Sequence, residues 1–246
     1  MQFALLLLVL SRATEFVDLK QTEIAADVVL VLCFGGWGNV PLEQARDLIP
    51  VIEGIQEYLD SNGLKSVVVC YRRAPAEFPA PPSLGVQLAV ITEMLGFHKT
   101  RAHRFARELE TLAARNPRVK WLLIGLSNGG DFVDKTMEVT SPAILNRVMA
   151  IEIGVPFWRG VCNDAQILRL DNEGEDPLTN GELELVFFSV FKGLLNFLSE
   201  GFRGEWRGFE RVWHIPAHDY SWSRVEPAVR AFLDRQLIRQ ARSVHR

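Results

Sequence analysis

Several features that would assign a function class at once are missing from this 246-residue sequence. It has three cysteines without CxxC spacing, so it lacks both a disulfide framework and a cysteine-based metal site. No apolar run approaches the about 20 residues that a membrane-spanning helix needs. The net charge is −3, and basic residues are scattered among acidic ones. We therefore expect a globular protein with no metal, no stable membrane span and no nucleic-acid partner.

The compartment is predicted from the cysteines and from the N-terminal segment. Cys33 and Cys70 lie inside apolar runs and are expected to be buried free thiols, which favours a reducing compartment. Phe3–Leu10 is apolar, but the basic segment that precedes the apolar run of a signal peptide is missing. We expect a first strand there and a cytoplasmic protein. The alternative is secretion, with residues 1–13 as a short signal peptide.

Runs of β-forming residues alternate with segments in which apolar residues recur every three or four positions. The first pattern predicts buried strands and the second amphipathic helices. The predicted strands are Asp27–Phe34, Ser66–Tyr71, Val119–Gly125, Arg147–Val155, Ala165–Asp171 and Arg211–Pro216. The predicted helices run from Ala45 to Asn62, over Ala102–Ala113, Gly129–Glu138 and Leu183–Leu198, and from Ser223, which has capping-box spacing to Glu226. This alternation predicts an α/β fold: a mostly parallel central sheet with helices on both faces, formed by residues 1–246 as one domain.

The segment Gly125-Leu126-Ser127-Asn128-Gly129 has the GxSxG pattern and lies between a predicted strand and a predicted helix. Ligands of such sheets gather beyond the carboxyl ends of the strands. A tight strand-to-helix turn forces the serine into an unfavourable backbone conformation, and glycines on either side avoid collisions. The helix that starts there directs N–H groups toward an oxyanion. Ser127 is thus the predicted nucleophile, and an ordinary glycine-rich turn is the alternative.

A serine nucleophile needs a base, and the base needs an orienting acid. His218 is the histidine that lies just past the last predicted strand, and we expect it to be the base. Asp176, in the turn Gly174-Glu175-Asp176-Pro177, is the preferred acid. Asp171, at the end of the preceding strand, is the alternative.

An oxyanion hole needs two N–H donors aimed at one point. One is expected to be the amide of Asn128, which follows the nucleophile. The other is expected from the loop Gly35-Gly36-Trp37, with Gly36 or Trp37 as the donor. The alternatives for this loop are a plain connection and a phosphate cradle, although the Lys-Ser or Lys-Thr ending of a P-loop is missing.

The order of these parts, from the Gly-Gly-Trp loop through the GLSNG turn and the GEDP turn to the AHDY segment, resembles the α/β-hydrolase family from about Val28 to Leu237. The resemblance implies a serine esterase or lipase-like hydrolase with a nucleophile elbow and a catalytic triad. It would cleave a carboxylic ester or related acyl bond through an acyl-serine intermediate, without a cofactor. One departure is Phe34, where many lipases and esterases of the family have histidine.

An unusually apolar segment, Leu183–Phe202, separates the predicted acid from the predicted base. It is interpreted either as a core helix or as a lid or cap at residues 181–203 whose apolar face meets an acyl chain or a lipid surface. The substrate would then be a small acyl ester with a lipid-like chain. The alternative function is a catalytically inactive α/β-hydrolase-like binding or interaction protein. The sequence carries no signature of oligomeric state.

Overall fold

The computed structural model describes residues 14–16, 19, 24–34, 48–73, 99–159, 164–182, 184–185, 192 and 220–238. Three predicted elements lie outside these residues, wholly or for the most part: the N-terminal apolar run at Phe3–Leu10, the strand Arg211–Pro216 and the apolar helix Leu183–Leu198. The predicted lid at 181–203 likewise lies mostly outside them.

Six strands are described, each a short run of β-forming residues. Their bounds are β1 Thr14–Glu15, β2 Val28–Cys33, β3 Ser66–Cys70, β4 Lys120–Leu126, β5 Val148–Ile153 and β6 Ile167–Leu170. Every residue of β2 and of β5 is buried. Strands of a parallel sheet are covered on both faces, which explains why β2 is continuously apolar and why β5 is apolar at every position except Glu152.

Helices connect the strands in the predicted order. Their bounds are α1 Ile49–Ser61, α2 Lys99–Arg115, α3 Asn128–Val139, α4 Pro142–Leu145, α5 Pro177–Asn180 and α6 Trp222–Leu233. A 3₁₀ turn at Phe157–Arg159 follows β5, and a π-helical turn at Asp234–Ile238 follows α6. Where predicted helices and strands are described, their bounds agree with the structure to within a few residues. The short elements β1, α4 and α5 have no counterpart in the sequence predictions. Within the described ranges, no helix is both long and apolar enough to cross a bilayer.

The strands form one sheet in the order β1-β3-β2-β4-β5-β6, and all of its described pairings are parallel. The central strand β4 pairs with β2 on one side and with β5 on the other. In this register Gly125 faces Cys33 across one gap and Glu152 across the other. The carboxyl ends of β2, β4 and β5 therefore meet at one edge of the sheet.

A helical layer covers each face of the sheet. Helices α1 and α6 pack on one face, in a core that includes Ile52, Ile55 and Phe232. Helices α2, α3 and α4 pack on the other face, in a core that includes Phe105 and Phe132. Cys33 and Cys70 are buried at the ends of β2 and β3 and take no part in a disulfide, as predicted.

The predicted start of the last helix is wrong by two residues. Helix α6 begins at Trp222, its N-cap is Ser221, and Ser223 lies inside the first turn. The carbonyl oxygen of Ser221 accepts the first intrahelical hydrogen bonds, from the amides of Arg224 and Val225. The Ser223–Glu226 spacing therefore fits a capping box without forming one.

Candidate active site

Ser127 has the backbone conformation that the sequence pattern predicts for a nucleophile. It lies between the end of β4 and the first residue of α3, with φ 53° and ψ −120°. Non-glycine residues rarely adopt a positive φ, and such strain is maintained only where the surroundings impose it. Here the Ser127 amide donates to the Ile153 carbonyl of β5 at 2.7 Å, and the Ser127 carbonyl accepts from the Asp131 amide at 3.1 Å.

The two glycines of the pattern are required by close packing around this turn. A Cβ on Gly129 would lie 2.6 Å from the Phe34 carbonyl oxygen and still closer to that of Cys33. A Cβ on Gly125 would lie 2.6 Å from the Cα of Gly130. Since all of these obstacles are backbone atoms, a side chain could be accommodated only by moving the turn itself.

The end of β2 touches the turn through the same contacts. The carbonyls of Cys33 and Phe34 rest against Gly129, which brings the start of the β2 loop to the N-terminus of α3. The Cys33 thiol is fully buried there, and burial raises its pKa to about 12. A buried thiol with a raised pKa is unreactive, because the thiolate is the nucleophilic form.

The predicted oxyanion donors are described in part. Asn128 is the first residue of α3, so its amide belongs to the helix end whose N–H groups point along the axis and whose dipole favours an anion. Gly36 and Trp37 lie outside the described residues, and their predicted role stays a prediction.

Asp176 is placed by a tight turn after β6. Three successive residues there, Asn172, Glu173 and Gly174, have φ between 58° and 78°. This turn leads to Asp176, which is fully buried and caps α5 by accepting the Leu178 amide on Oδ1 at 2.9 Å. The predicted acid is thus held inside the protein by its own helix.

The second oxygen of Asp176 meets the C-terminal part of the chain. The hydroxyl of Tyr220 donates to Asp176 Oδ2 at 2.7 Å, and only 4% of Tyr220 is exposed. Burial and this hydrogen bond raise the pKa of Tyr220, so the phenol remains a donor. His218 itself lies outside the described residues, and its role stays a prediction.

The alternative acid, Asp171, has different surroundings. Its side chain is exposed, and its main-chain carbonyl accepts from the amides of Gly174 and Asp176. Asp171 therefore closes the turn through its backbone.

Sequence reasoning missed a group of buried charges beneath α3. Arg169 donates to Oε2 of the fully buried Glu152 at 2.9 and 2.7 Å and lies 3.5 Å from Asp134. Arg159 pairs with Asp131, four residues after Ser127, at 2.5 Å. The sequence does contain one signal for this pair: an acid lies within one apolar strand and a base within the next. Glu152 and Arg169 are partners in the register of β5 with β6.

Two exposed aromatic side chains lie on the loop after β5. Phe157 is 39% exposed and Trp158 is 51% exposed, and their rings meet edge to face at 5.3 Å. The next residue, Arg159, ties this loop to α3 through Asp131. The pair therefore stands at the sheet edge that carries Ser127. Among the described residues, no group of three or more His, Cys, Asp or Glu side chains could hold a metal ion.

The structure has the predicted α/β-hydrolase architecture. It combines a parallel sheet, a helical layer on each face and a strained turn at Ser127. No protein-family model and no curated protein matches the chain. Matches among solved structures include a Trichoderma reesei cutinase in complex with a C11Y4 phosphonate inhibitor, with 16% sequence identity, a TM-score of 0.47 and coverage of 73% of each chain. A likeness at that identity does not extend the activity of the cutinase to this chain.

Proposed function

We propose that this protein is a serine hydrolase that cleaves a carboxylic ester or a related acyl bond. Ser127 is the nucleophile, His218 is the general base and Asp176 is the acid that orients the base. The amide of Asn128, with that of Gly36 or Trp37, stabilises the oxyanion.

The reaction has two half-reactions. The Ser127 hydroxyl attacks the acyl carbon while the imidazole of His218 takes its proton, and the N–H donors stabilise the oxyanion that forms. The imidazolium then gives the proton to the leaving alcohol, which departs and leaves an acyl-serine. Water, activated by the same histidine, releases the acid and restores the serine.

The backbone of Ser127 is the observation that carries this proposal. A left-handed serine costs of the order of 1–3 kcal/mol, and a chain does not retain that strain at an ordinary turn without a reason. Here the strain coincides with a partly exposed hydroxyl residue at the N-terminus of a twelve-residue helix, beyond the carboxyl end of a central strand. The glycines on either side of Ser127 permit this turn.

The anchoring of Tyr220 supports the acid and the base as a pair. Tyr220 is hydrogen bonded to Asp176, and His218 precedes it by two residues. Two residues span at most about 7 Å, and we propose that His218 reaches the acid from this anchored segment. Among the described residues, Asp171 has no comparable side-chain hydrogen bond, and it is exposed, so we favour Asp176.

The aromatic pair after β5 supports a substrate with an apolar acyl group. Exposed Phe157 and Trp158 offer an apolar contact surface at the sheet edge that carries Ser127, and Phe157 packs against Gly181, where the predicted lid begins. In a series of p-nitrophenyl esters, kcat/KM should rise with acyl length in the wild type. The ratio of long-chain to short-chain kcat/KM should fall in Trp158→Ser.

Labelling with a fluorophosphonate probe tests the nucleophile. The wild type should label, and Ser127→Ala should not, while its circular dichroism spectrum stays unchanged. Ser141→Ala is the matched control, since Ser141 is also partly exposed but caps α4 instead of preceding a strained turn. A wild type that neither labels nor hydrolyses esters would reject the enzyme and favour the inactive interaction protein.

Paired carboxamide variants test the acid. In Asp176→Asn, kcat should fall by about 10³–10⁴-fold, the loss expected when a triad histidine is left in the wrong tautomer. In Asp171→Asn, kcat should stay within a few-fold of wild type. The reverse result would make Asp171 the acid.

A further inference from the structure

Arg73 is a buried arginine with no part in the proposed chemistry. It lies three residues after β3 and is only 6% exposed. A guanidinium is costly to bury unless hydrogen bonds compensate for its lost hydration. Arg73 donates through Nη2 to the carbonyl oxygen of Phe34 at 2.6 Å, and its guanidinium lies 5.5 Å from the centre of the Phe132 ring.

These two partners belong to the two segments that carry the predicted oxyanion donors. Phe34 directly precedes the Gly35-Gly36-Trp37 loop, and Phe132 is in the second turn of α3, whose first residue is Asn128. The carbonyl of Phe34 also rests against Gly129. One side chain therefore contacts both the end of β2 and the helix that follows the nucleophile.

We propose that Arg73 is a positioning residue, whose guanidinium holds the Phe34 carbonyl against α3 and so sets the direction in which the chain leaves β2 toward the proposed oxyanion donor, Gly36 or Trp37. This inference rests on the proposed function. A trans peptide unit is planar, so a fixed carbonyl fixes the plane of the next peptide bond and the direction in which the chain leaves β2. A charge-assisted hydrogen bond is about twice as strong as a neutral one, which suits this task.

Oxyanion stabilisation explains why such positioning affects rate. Donors act on the oxyanion of the transition state only if they are in place before the reaction. A loop free to move at Phe34 would still admit substrate but would stabilise the oxyanion less. Loss of Arg73 should therefore lower kcat and leave KM nearly unchanged.

Arg147 provides a matched control at the opposite end of the sheet. It also donates from a guanidinium to main-chain carbonyls, those of Ala113 at 2.8 Å and Asn116 at 3.2 Å. It lies before β5, away from Ser127. If arginines that donate to main-chain carbonyls here serve stability alone, Arg73→Met and Arg147→Met will behave alike.

The experiment compares wild type, Arg73→Met, Arg73→Lys and Arg147→Met by thermal melting, fluorophosphonate labelling rate and ester kinetics. We expect Arg73→Met to lose at least about tenfold in kcat and labelling rate, with KM within about threefold. Arg73→Lys should recover part of the loss, because an ammonium can still donate to one carbonyl. Arg147→Met should melt earlier with kcat within about twofold of wild type.

A folded Arg73→Met with kcat within twofold of wild type would overturn the inference. If Arg73→Met does not fold, Arg73→Lys decides, and unchanged kcat in that variant would overturn it as well. If the wild type neither labels nor hydrolyses esters, the proposed function has failed, and hydrogen exchange over residues 28–40 decides about the loop. Faster exchange in the Arg73 variants than in Arg147→Met supports the holding role, whereas equal exchange rejects it.

Discussion

The Tyr220 hydroxyl and the Asp176 carboxylate form a buried 2.7 Å hydrogen bond between segments 44 residues apart in the chain. The bond joins the turn after β6 to the chain just before α6. In the proposed mechanism, it holds the acid in the orientation that the histidine needs, without any contact between Tyr220 and the substrate.

Tyr220→Phe should lower both activity and stability. The variant removes one donor from a buried carboxylate, at a cost of about 1–2 kcal/mol in unfolding free energy, and we expect kcat to fall about tenfold. Tyr58→Phe is the control, because Tyr58 donates a 2.6 Å hydrogen bond to Asp234 away from the site. Urea denaturation and ester kinetics would show similar stability losses but a kcat loss in Tyr220→Phe only. Equal activity in both variants would contradict the positioning of Asp176 by Tyr220.

Gly129→Ala should inactivate the protein through the backbone. The new methyl group would collide with the carbonyls of Cys33 and Phe34, so the turn at Ser127 must move. Gly54→Ala, whose methyl group would collide with the Trp222 ring on α6, is an overpacked control remote from the turn. We expect both variants to melt earlier, and only Gly129→Ala to lose labelling by a fluorophosphonate. Normal labelling of Gly129→Ala would show that the turn tolerates a side chain.

Strands β2 to β6 and the longer described helices were predictable because each follows from a local pattern. The runs in β2 and β4 are buried on both faces, so continuous apolarity identified them to within two residues. The start of α6 was less predictable, because Ser221 and Ser223 are both good caps and the choice depends on tertiary packing. Trp222 packs against Gly54 of α1, a contact that no local pattern contains.

The strained turn at Ser127 was predictable for a similar reason, since its glycines and serine are neighbours in sequence. The buried charges were not. Glu152 and Arg169 are 17 residues apart and pair only through the register of β5 with β6. Arg73 reaches Phe34 across 39 residues, and Tyr220 reaches Asp176 across 44. Such links depend on which strands become neighbours, which the sequence pattern leaves open.

Ser127→Gly should be more stable than Ser127→Ala, although both should be inactive. Glycine adopts a φ of 53° without strain, which releases about 1–3 kcal/mol and exceeds its entropic cost of about 0.5–1 kcal/mol. Inside α6 the order should reverse, with Ser223→Gly about 1 kcal/mol less stable than Ser223→Ala. Urea denaturation of the four variants measures both differences. If the alanine variant is the more stable one at both positions, the result would argue against stored strain at Ser127.

Stability should also depend on the protonation of Glu152. Burial, reinforced by the nearby charges of Asp134 and Asp131 and opposed by Arg169, raises the pKa of Glu152 from 4.5 to about 7. Between pH 4.5 and about pH 7, the folded protein keeps a proton on Glu152 that the unfolded chain releases. The free energy of unfolding should therefore fall as the pH rises from about 4.5 to about 7 and level off above that, by at most about 3 kcal/mol from this group. The pKa of Asp134 is also raised by burial, so its contribution has the same sign.

Glu152→Gln isolates this contribution. The amide keeps an oxygen that can accept from Arg169 but does not titrate, so the fall in stability between pH 4.5 and 7 should become smaller. Glu226→Gln is the control, since Glu226 pairs with Arg230 at the helix surface, where ion pairs contribute little. Urea denaturation at half-unit pH steps measures the slope for each protein. A slope in Glu152→Gln as steep as that of wild type would assign the pH dependence to other groups, because the buried carboxyl on β5 would then be charged throughout the range.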